Sequence, residues 1–484
     1  MSIKTLQLAE FKQDFTVSPA DKLNYGEIYS PFSLIKNMLN LFDESVFSNK
    51  DAKWLDTGAG SGFFSMMLFD YLNKGLLTVI LDDEERKTHI ITKMLYLSEL
   101  KEENVVLLKS RFGLNANIIS GDFLSSNTTT TTTTTTTFEP TTFGPIAFDY
   151  IIGNPPYNAH GQKKVPTNNK LQKKQDGQTV WGHFLKKALT LLKPTTGQLC
   201  YIVPSIWMKP DKAGLYQLLT QYKIEKLHCL TNTETNKIFK GAAQTPTCYF
   251  LLTNVQTNTN KDMSSINLYD TGTKSYIDYP FTVGAPLPLF GQALIKKLQP
   301  FILKAGGSLP IIKTNMPKKT SKFALSADPI HFPYPNIKTC QLDGLQPVLI
   351  INYSNIPQAY AKIAKLVLAH KMHGFPYLDA EGSYGISNRD NYVVIKPLGQ
   401  LAQLQAFLST KFALYIYEAT RYRMKYLEKY AFELLPDITK LPDFPPTEQI
   451  NDKTIALYFG LSEQEVKQIQ TFHKDYKQHF LEKV

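Results

Sequence analysis

The sequence predicts an α/β domain with a mostly parallel sheet at residues 1–252, followed by a mixed α+β domain at residues 253–484. Short apolar runs such as KWLD and FDYIIG alternate with longer amphipathic runs through the first part, which is the pattern of strands and helices in turn. Beyond it, irregular Pro-, Tyr- and Lys-rich stretches replace this alternation. Helical segments are predicted there near 356–371, 399–420 and 463–480. With 484 residues, each part can bury its own core.

The composition is that of a globular protein, with 43% hydrophobic and 20% charged residues. Lys and Arg number 53 against 42 Asp and Glu, and the net charge of +11 favours a polyanionic partner such as nucleic acid. The four cysteines stand singly, which argues against a disulfide framework or a cysteine metal site. No signal-type segment and no run of about 18 apolar residues occurs, so we expect a soluble, intracellular protein without membrane association.

A tract of ten threonines, Thr128–Thr137, lies in a connection at residues 125–147. Connections longer than about 12 residues without their own structure are usually functional or disordered. Because a homopolymeric polar tract cannot bury a core, we interpret this Thr-rich loop as a mobile surface expansion without a catalytic role.

A glycine-rich loop follows the first predicted strand. Asp56 ends the strand, and Gly58, Gly60 and Gly62 follow at alternate positions before a helix. Glycine lets the backbone pass close to a ligand and turn sharply into the helix. The pattern D-x-G-x-G-x-G differs from the G-x-G-x-x-G of dinucleotide sites. It resembles the first motif of S-adenosylmethionine-dependent methyltransferases, although a plain glycine-rich turn is the alternative.

This resemblance implies a Rossmann-like class I methyltransferase domain that binds S-adenosyl-L-methionine. The loop, including Ala59, would then lie against the methionine part of the cofactor. Upstream, Tyr29-Ser30-Pro31 resembles the family's turn that closes over the same end of the cofactor. A Ser-Pro turn that merely caps a helix is the alternative interpretation.

The cofactor's ribose calls for a carboxylate at the end of the next strand, because a carboxylate accepts two hydroxyl hydrogen bonds at once. Asp82 and Glu99 are the candidates. If Asp82 ended the strand, the long stretch after it would have to form a single connection to the next strand. We therefore assign Glu99, and we interpret DDEERKTHIIT as a charged extension of the preceding helix. The resemblance places Asp122, with Phe123 beside it, at the adenine end of the cofactor. An ordinary strand-end or capping Asp is the alternative.

The most informative motif is Asn154-Pro155-Pro156-Tyr157, at the end of an apolar strand. It matches the signature of methyltransferases that act on planar exocyclic or amide nitrogens. Asn154 and the Pro155 carbonyl can each accept one N–H, which aims the nitrogen lone pair at the methyl group. The two prolines make this loop rigid, and Tyr157 offers an aromatic face to a base removed from its stack. Asn154 is also counted among the cofactor contacts. A structural turn is the alternative.

The order of these motifs, with a long C-terminal part, resembles the Taq-type (gamma) class of adenine-N6 DNA methyltransferases of restriction-modification systems. The resemblance implies double-stranded DNA as the substrate and a target-recognition, DNA-binding domain at residues 253–484. It also implies an aromatic residue against the flipped base, for which Phe239 is the candidate and a core Phe the alternative. A separately encoded restriction endonuclease is a further possible partner, and the protein is expected to be a monomer.

Two acid-free stretches, at 160–175 and 279–327, hold candidate phosphate contacts. We assign Lys163 and Lys164 in the first and Lys318 and Lys319 in the second, with solvated basic loops as the alternative.

The predicted function is transfer of a methyl group from S-adenosylmethionine to N6 of adenine in a specific double-stranded DNA sequence, by base flipping. One alternative is methylation of RNA adenine or of a protein glutamine amide, against which the large C-terminal half weighs. Another is a catalytically inactive DNA-binding subunit, against which the intact motifs weigh.

Overall fold

The computed structural model divides into two units. The first comprises Met1–Trp207 and Asp211–Asp262, and the second comprises Met208–Pro210 and Met263–Val484. Within them the structure describes residues 28–125, 146–158, 179–211, 214–243, 245–256, 264–317, 324–343, 346–370, 375–423 and 426–472. The Thr tract and the four lysines assigned to phosphate lie outside the described residues. The first unit extends past residue 252 because its last strand continues to Gln256.

The first unit is built on a sheet with helices between the strands. Its strands are β1 (Trp54–Asp56), β2 (Leu95–Glu99), β3 (Asn117–Ser120), β4 (Tyr150–Gly153), β5 (Gln198–Pro204), β6 (Tyr222–Leu230) and β7 (Thr247–Gln256). Its helices are α1 (Phe32–Leu39), α2 (Phe63–Gly75), α3 (Asp83–His89), α4 (Glu102–Phe112), α5 (Trp181–Leu191), α6 (Tyr216–Leu219) and α7 (Asn232–Ile238).

These strands follow the order β3-β2-β1-β4-β5-β7-β6. Strands β1 to β5 pair in parallel, whereas β7 runs antiparallel to both β5 and β6. The chain moves outward from β1 to β3 and returns to β4 on the other side of β1. Ligands of open α/β sheets bind at such a reversal, outside the carboxyl ends of the strands. The predicted Rossmann-like fold is confirmed.

The sheet is held by apolar side chains that are buried on both faces. Leu55, Ile151, Ile152 and Leu199 are fully buried in the central strands. Trp54 stacks on Tyr150 with ring centroids 4.1 Å apart. Parallel strands covered by helices on both faces need such continuous apolar runs, and the rigid sheet therefore fixes where each strand ends.

The segment DDEERKTHIIT is not an extension of the preceding helix, and that interpretation was wrong. Helix α2 ends at Gly75, and Asp82 caps the separate helix α3 by accepting a hydrogen bond from Glu85 N at 2.7 Å. An Asp at this position satisfies a free N–H of the first helical turn, so it starts a new helix.

The second unit is a mixed α+β structure, as predicted. Its strands are β8 (Ser264–Asp270), β9 (Ser275–Phe281), β10 (Ile312–Lys313), β11 (Leu325–Ser326), β12 (Tyr334–Asp343), β13 (Gln346–Ser354), β14 (Lys365–Ala369), β15 (Tyr377–Asp379), β16 (Gly385–Ile386) and β17 (Asn391–Val394). Its helices are α8 (Gln292–Lys304), α9 (Leu398–Leu408), α10 (Lys411–Ala419), α11 (Asp452–Tyr458) and α12 (Glu463–Phe472). Two four-stranded sheets have the orders β10-β17-β14-β15 and β11-β13-β12-β16.

The helix predicted near 356–371 is wrong. This stretch contains β14, whose five residues are all buried and which pairs with β15 and β17. Positive φ angles at Tyr360 (64°) and Lys362 (62°) interrupt any helix before it. Among the described residues, no helix combines the length and the apolar character needed to cross a membrane.

Candidate active site

A cleft lies where β1, β2, β3 and β4 end, and most of the residues predicted from the motifs line it. The predicted residues that line the cleft are Tyr29, Ser30, Gly58, Ala59, Gly60, Glu99, Asp122, Phe123, Asn154, Pro155, Pro156 and Tyr157. These come from distant positions in the chain, and Ser30 and Asn154 are 124 residues apart. Their convergence places the proposed cofactor loop and the Asn-Pro-Pro-Tyr motif in one site.

Four predicted site residues are described but do not line the cleft. Pro31 is the residue before α1, and its carbonyl accepts hydrogen bonds from Leu34 N and Ile35 N. Phe239 follows α7 with only 5% of its surface exposed, which fits a core position. Asp56 and Gly62, the other two, lie at the end of β1 and directly before α2, on either side of the loop residues that line the cleft. A contact of these four residues with cofactor or base stays a prediction.

The glycine loop combines one tightly packed glycine with one that faces open space. Gly62 is the N-cap of α2 with φ +91°, and a Cβ atom there would lie 2.8 Å from Leu108 Cδ2. A side chain is therefore disfavoured by the conformation, and Leu108 would have to shift to admit one. Gly58 lines the cleft, and a Cβ atom there would meet nothing within 4 Å. The empty space beside Gly58 is room for a ligand.

Asp56 supports this loop from below. Its carboxylate accepts hydrogen bonds from Ser65 Oγ at 2.8 Å and from Gly58 N at 3.3 Å. The side chain is fully buried, and this burial raises the pKa of the carboxyl to about 7. Asp56 thus holds the strand end, the loop and the first turn of α2 together.

Glu99 ends β2, as the choice between the two acidic candidates predicts. Its Oε2 accepts a hydrogen bond from Gly60 N at 2.7 Å, and its Oε1 accepts one from Lys101 N at 2.8 Å. The carboxylate therefore spans the space between the glycine loop and the start of α4. Asp82, by contrast, caps α3 and does not line the cleft.

The other end of the cleft is aromatic. Phe123 stacks on Phe184 of α5 with centroids 5.2 Å apart, and Lys187 Nζ lies 5.1 Å from the Phe123 ring centroid. Asp122 precedes this stack and accepts hydrogen bonds from Leu124 N and from the Ser125 hydroxyl. Asp122 therefore stabilises its own turn and also lines the cleft. It has both the predicted position and the capping contacts of the alternative interpretation.

Asn154 follows β4 and has its amide group held from upstream. Its Nδ2 donates to Ser30 Oγ at 3.2 Å and to the Ile28 carbonyl at 3.5 Å. Because Nδ2 makes these two bonds, the side-chain oxygen Oδ1 remains as the acceptor that a substrate amino group requires. Residues 28–30 thus determine that Asn154 offers its side-chain oxygen to a substrate.

Tyr157 combines a cleft-lining side chain with a buried hydroxyl. Among the described residues its OH has no hydrogen-bond partner, and burial raises its pKa far above the usual value. The phenol therefore stays neutral, and this chemistry excludes Tyr157 as a phenolate base. Its aromatic ring is the part of the side chain that can act on a substrate.

Several lining residues were missed by the sequence analysis. They include Phe63, Leu100, Asn104 and Phe184. Leu100 and Asn104 follow Glu99 closely, so their proximity to the assigned acid was a usable signal. Phe184 had no such signal, because its place depends on how α5 packs against the residues after β3.

The arrangement can bind an elongated polar molecule and present a hydrogen-bond acceptor beside it. Gly58, Gly60, Glu99 and Asp122 line one cleft, and Asn154 lies in the same cleft. Among the described residues, no three His, Cys, Asp or Glu side chains are placed to hold a metal ion. The side chains that line the cleft suit positioning and hydrogen bonding.

A comparison with protein families matches residues 78–239 to the Eco57I restriction-modification methylase model. A relative from Mycoplasma pneumoniae, described as an uncharacterized adenine-specific methylase, is 25% identical. That match covers 39% of this chain and 57% of the relative, so the chain spans little more than half of its length.

Solved structures resemble this chain weakly. The modification subunit of a putative type I restriction enzyme from Vibrio vulnificus YJ016 has a TM-score of 0.36 and 17% identity, over 53% of this chain and 50% of that chain. The EcoKI M protein of a type I restriction enzyme has a TM-score of 0.35 and 16% identity, over 50% and 48%. Likeness at this level indicates no function. The family match at residues 78–239 confirms the resemblance to restriction-modification methylases that the sequence motifs predict.

Proposed function

We propose that this chain transfers a methyl group from S-adenosylmethionine to the N6 amino group of adenine in a specific double-stranded DNA sequence. The observation that carries the proposal is the convergence of the glycine loop, Glu99 and Asn154-Pro155-Pro156-Tyr157 in one cleft. The Eco57I family match and the adenine-specific relative support the same chemistry.

The residues present fit S-adenosylmethionine. Gly58 and Gly121 both line the cleft, and a Cβ atom at either position would meet nothing within 4 Å, so the backbone leaves room for a ligand. The Glu99 carboxylate suits a ribose diol, and Phe123 with Phe184 forms an apolar wall suited to an adenine ring. When bound, the cofactor supplies an activated methyl group on a sulfonium.

Asn154 would position the target nitrogen. An adenine amino group is a poor nucleophile, because its lone pair is delocalised into the ring. Asn154 Oδ1 and the Pro155 carbonyl would each accept one of its N–H groups, leaving the lone pair aimed at the methyl group. Because the Asn154 amide is already anchored on Ser30 and Ile28, this acceptor is preorganised before substrate arrives.

A base inside a duplex cannot reach such a cleft, so the target adenine would be flipped out and stacked on Tyr157. Residues 253–484 would supply target recognition, and phosphate contacts would come from Lys163, Lys164, Lys318 and Lys319. The proposal further includes a separately encoded restriction endonuclease as a partner and a monomeric state for this chain.

Labelled S-adenosylmethionine offered with DNA, RNA or protein tests the substrate class. We expect label in duplex DNA, and we expect Asn154→Ala to abolish it while cofactor binding is retained. Label only in RNA or only in protein would replace DNA as the substrate. Cofactor binding without transfer to any of the three would favour an inactive DNA-binding subunit.

A further inference from the structure

The second unit contains a group of cationic side chains around one buried acid. We call it the Glu428 cluster, formed by Lys209, Lys313, Arg389, Arg423 and Glu428. Glu428 is 5% exposed; its Oε2 lies 3.1 Å from Lys209 Nζ, and its Oε1 lies 3.9 Å from Arg423 Nε. A buried carboxylate with two cations beside it fixes their positions.

The cluster is assembled from distant parts of this unit. Lys313 belongs to β10 and pairs with Tyr392 of β17, whose hydroxyl donates to the Leu427 carbonyl at 2.8 Å. The segment with Lys209 is tied to the same region, because Tyr430 OH donates to the Pro210 carbonyl at 3.0 Å. The tertiary fold of this unit therefore determines where the side chains of the cluster lie.

Cations outnumber carboxylates among the charged groups of this cluster and its neighbour Asp390. Lys313 interacts with the charges of Lys209, Arg389, Glu428 and Asp390, so with Arg423 four cations share two carboxylates. The side chains of Lys313 and Arg389 make no hydrogen bond or ion pair with a described residue. Partial burial lowers the pKa of Lys313; the Glu428 and Asp390 carboxylates act against this shift, and the Lys209 and Arg389 cations add to it. An anion placed here would relieve this repulsion.

We propose that the Glu428 cluster binds a backbone phosphate of duplex DNA, with Lys313 and Arg389 as the contacting groups and Glu428 as the positioning residue. The choice of DNA rests on the proposed function. The cluster carries the positive charge that a phosphate requires, and its exposed cations lie beside the buried Glu428 carboxylate. Phosphates are contacted by Lys and Arg without reading sequence, so this site would contribute affinity and register rather than specificity.

The test uses the full chain and a fluorescent duplex of random sequence. Lys313→Gln/Arg389→Gln removes the two proposed phosphate contacts, and Lys453→Gln/Lys467→Gln removes the same charge from exposed positions on α11 and α12 of the same unit. Binding is measured by anisotropy between about 50 and about 250 mM KCl. Thermal unfolding and cofactor binding show that each variant is folded.

We expect the cluster variant to bind roughly tenfold more weakly at low salt. The magnitude of its slope of log K against log salt should be smaller by about 1. The control variant should match the wild type in both. Equal slopes for the wild type and the cluster variant would overturn the proposal, as would an equal loss in the control variant. Inorganic phosphate is titrated in parallel. Its binding to the wild type alone, with unchanged duplex affinity, would assign a free-phosphate site and overturn the DNA assignment.

Methyl transfer by the wild type separates this proposal from the proposed function. Transfer to DNA with an unaltered salt slope in the cluster variant would reject the cluster alone. A reduced slope without transfer to DNA by the wild type would support the cluster and reject the enzymatic assignment.

Discussion

The hydroxyl of Ser30 accepts a hydrogen bond from Asn154 Nδ2 at 3.2 Å, across 124 residues of sequence. Ser30 is 8% exposed, so water competes little for this bond. The contact joins the upstream turn to the Asn-Pro-Pro-Tyr motif. Its consequence is that Asn154 presents its oxygen, and not its nitrogen, to a substrate.

Loss of this contact should slow methyl transfer. In Ser30→Ala the Asn154 amide can turn, and a lost hydrogen bond of about 1 kcal/mol corresponds to a rate roughly five- to tenfold lower. Ser30→Thr keeps the hydroxyl and should retain most of the rate. The measurement is the single-turnover rate at saturating cofactor. A wild-type rate in Ser30→Ala would show that Ser30 does not position Asn154.

Removing the charge of Glu99 should weaken cofactor binding. Gln keeps an oxygen for Gly60 N but loses the charge-assisted bonds offered to a diol, so affinity should fall roughly tenfold or more. Asp82→Asn is the matched control, because it removes one carboxylate and keeps a good helix cap on α3. Calorimetry with S-adenosylhomocysteine measures both, and equal affinities for the two variants would reject the assignment of Glu99.

Substitutions in the glycine loop should separate stability from binding. Gly62→Ala meets a positive φ and Leu108, and should destabilise the fold by about 1–3 kcal/mol. Gly58→Val points into open space, so it should leave the free energy of unfolding nearly unchanged and weaken cofactor binding. Urea unfolding and cofactor titration measure the two effects. Normal cofactor affinity in folded Gly58→Val would place the ligand elsewhere.

Asp56 should make stability depend on pH. Its pKa is raised from 3.8 to about 7, so between these values the folded state binds more protons than the unfolded state. The free energy of unfolding therefore falls as pH rises through this range, by about 1.4 kcal/mol for each unit of pKa shift. Asp56→Asn removes this dependence.

Urea unfolding at about pH 5 and about pH 8 measures this effect. The stability of Asp56→Asn relative to the wild type should increase at the higher pH. The same difference at both pH values would mean that Asp56 is already ionised in the folded protein at the lower one.

The sequence predicted those parts of the site whose residues are adjacent in the chain. Gly58, Gly60 and the Asn-Pro-Pro-Tyr motif could be recognised because their chemistry needs a fixed local spacing. Glu99 could be chosen over Asp82 because the number of connections limits which acid ends a strand. Ser30 was assigned to the cofactor, but its bond to Asn154 depends on how two distant segments pack.

The second unit was predicted less well, for physical reasons. The buried run of β14 is too short for its period to distinguish a strand from a helix. The strand is determined by its pairing with β15 and β17 and by the positive φ angles before it. Neither can be read from the local sequence. The Glu428 cluster likewise brings together β10, Arg389 before β17 and the segment at 208–210, so no run of basic residues in the sequence indicated it.

The most direct test of the central claim is the identity of the methylated nucleoside. Duplex DNA is incubated with the wild-type chain and S-adenosylmethionine, digested to nucleosides, and analysed by chromatography with mass detection. The expected product is N6-methyl-2′-deoxyadenosine, which is absent when Asn154→Ala replaces the wild type. Methylation of cytosine alone, or of no nucleoside in duplex DNA, would contradict it.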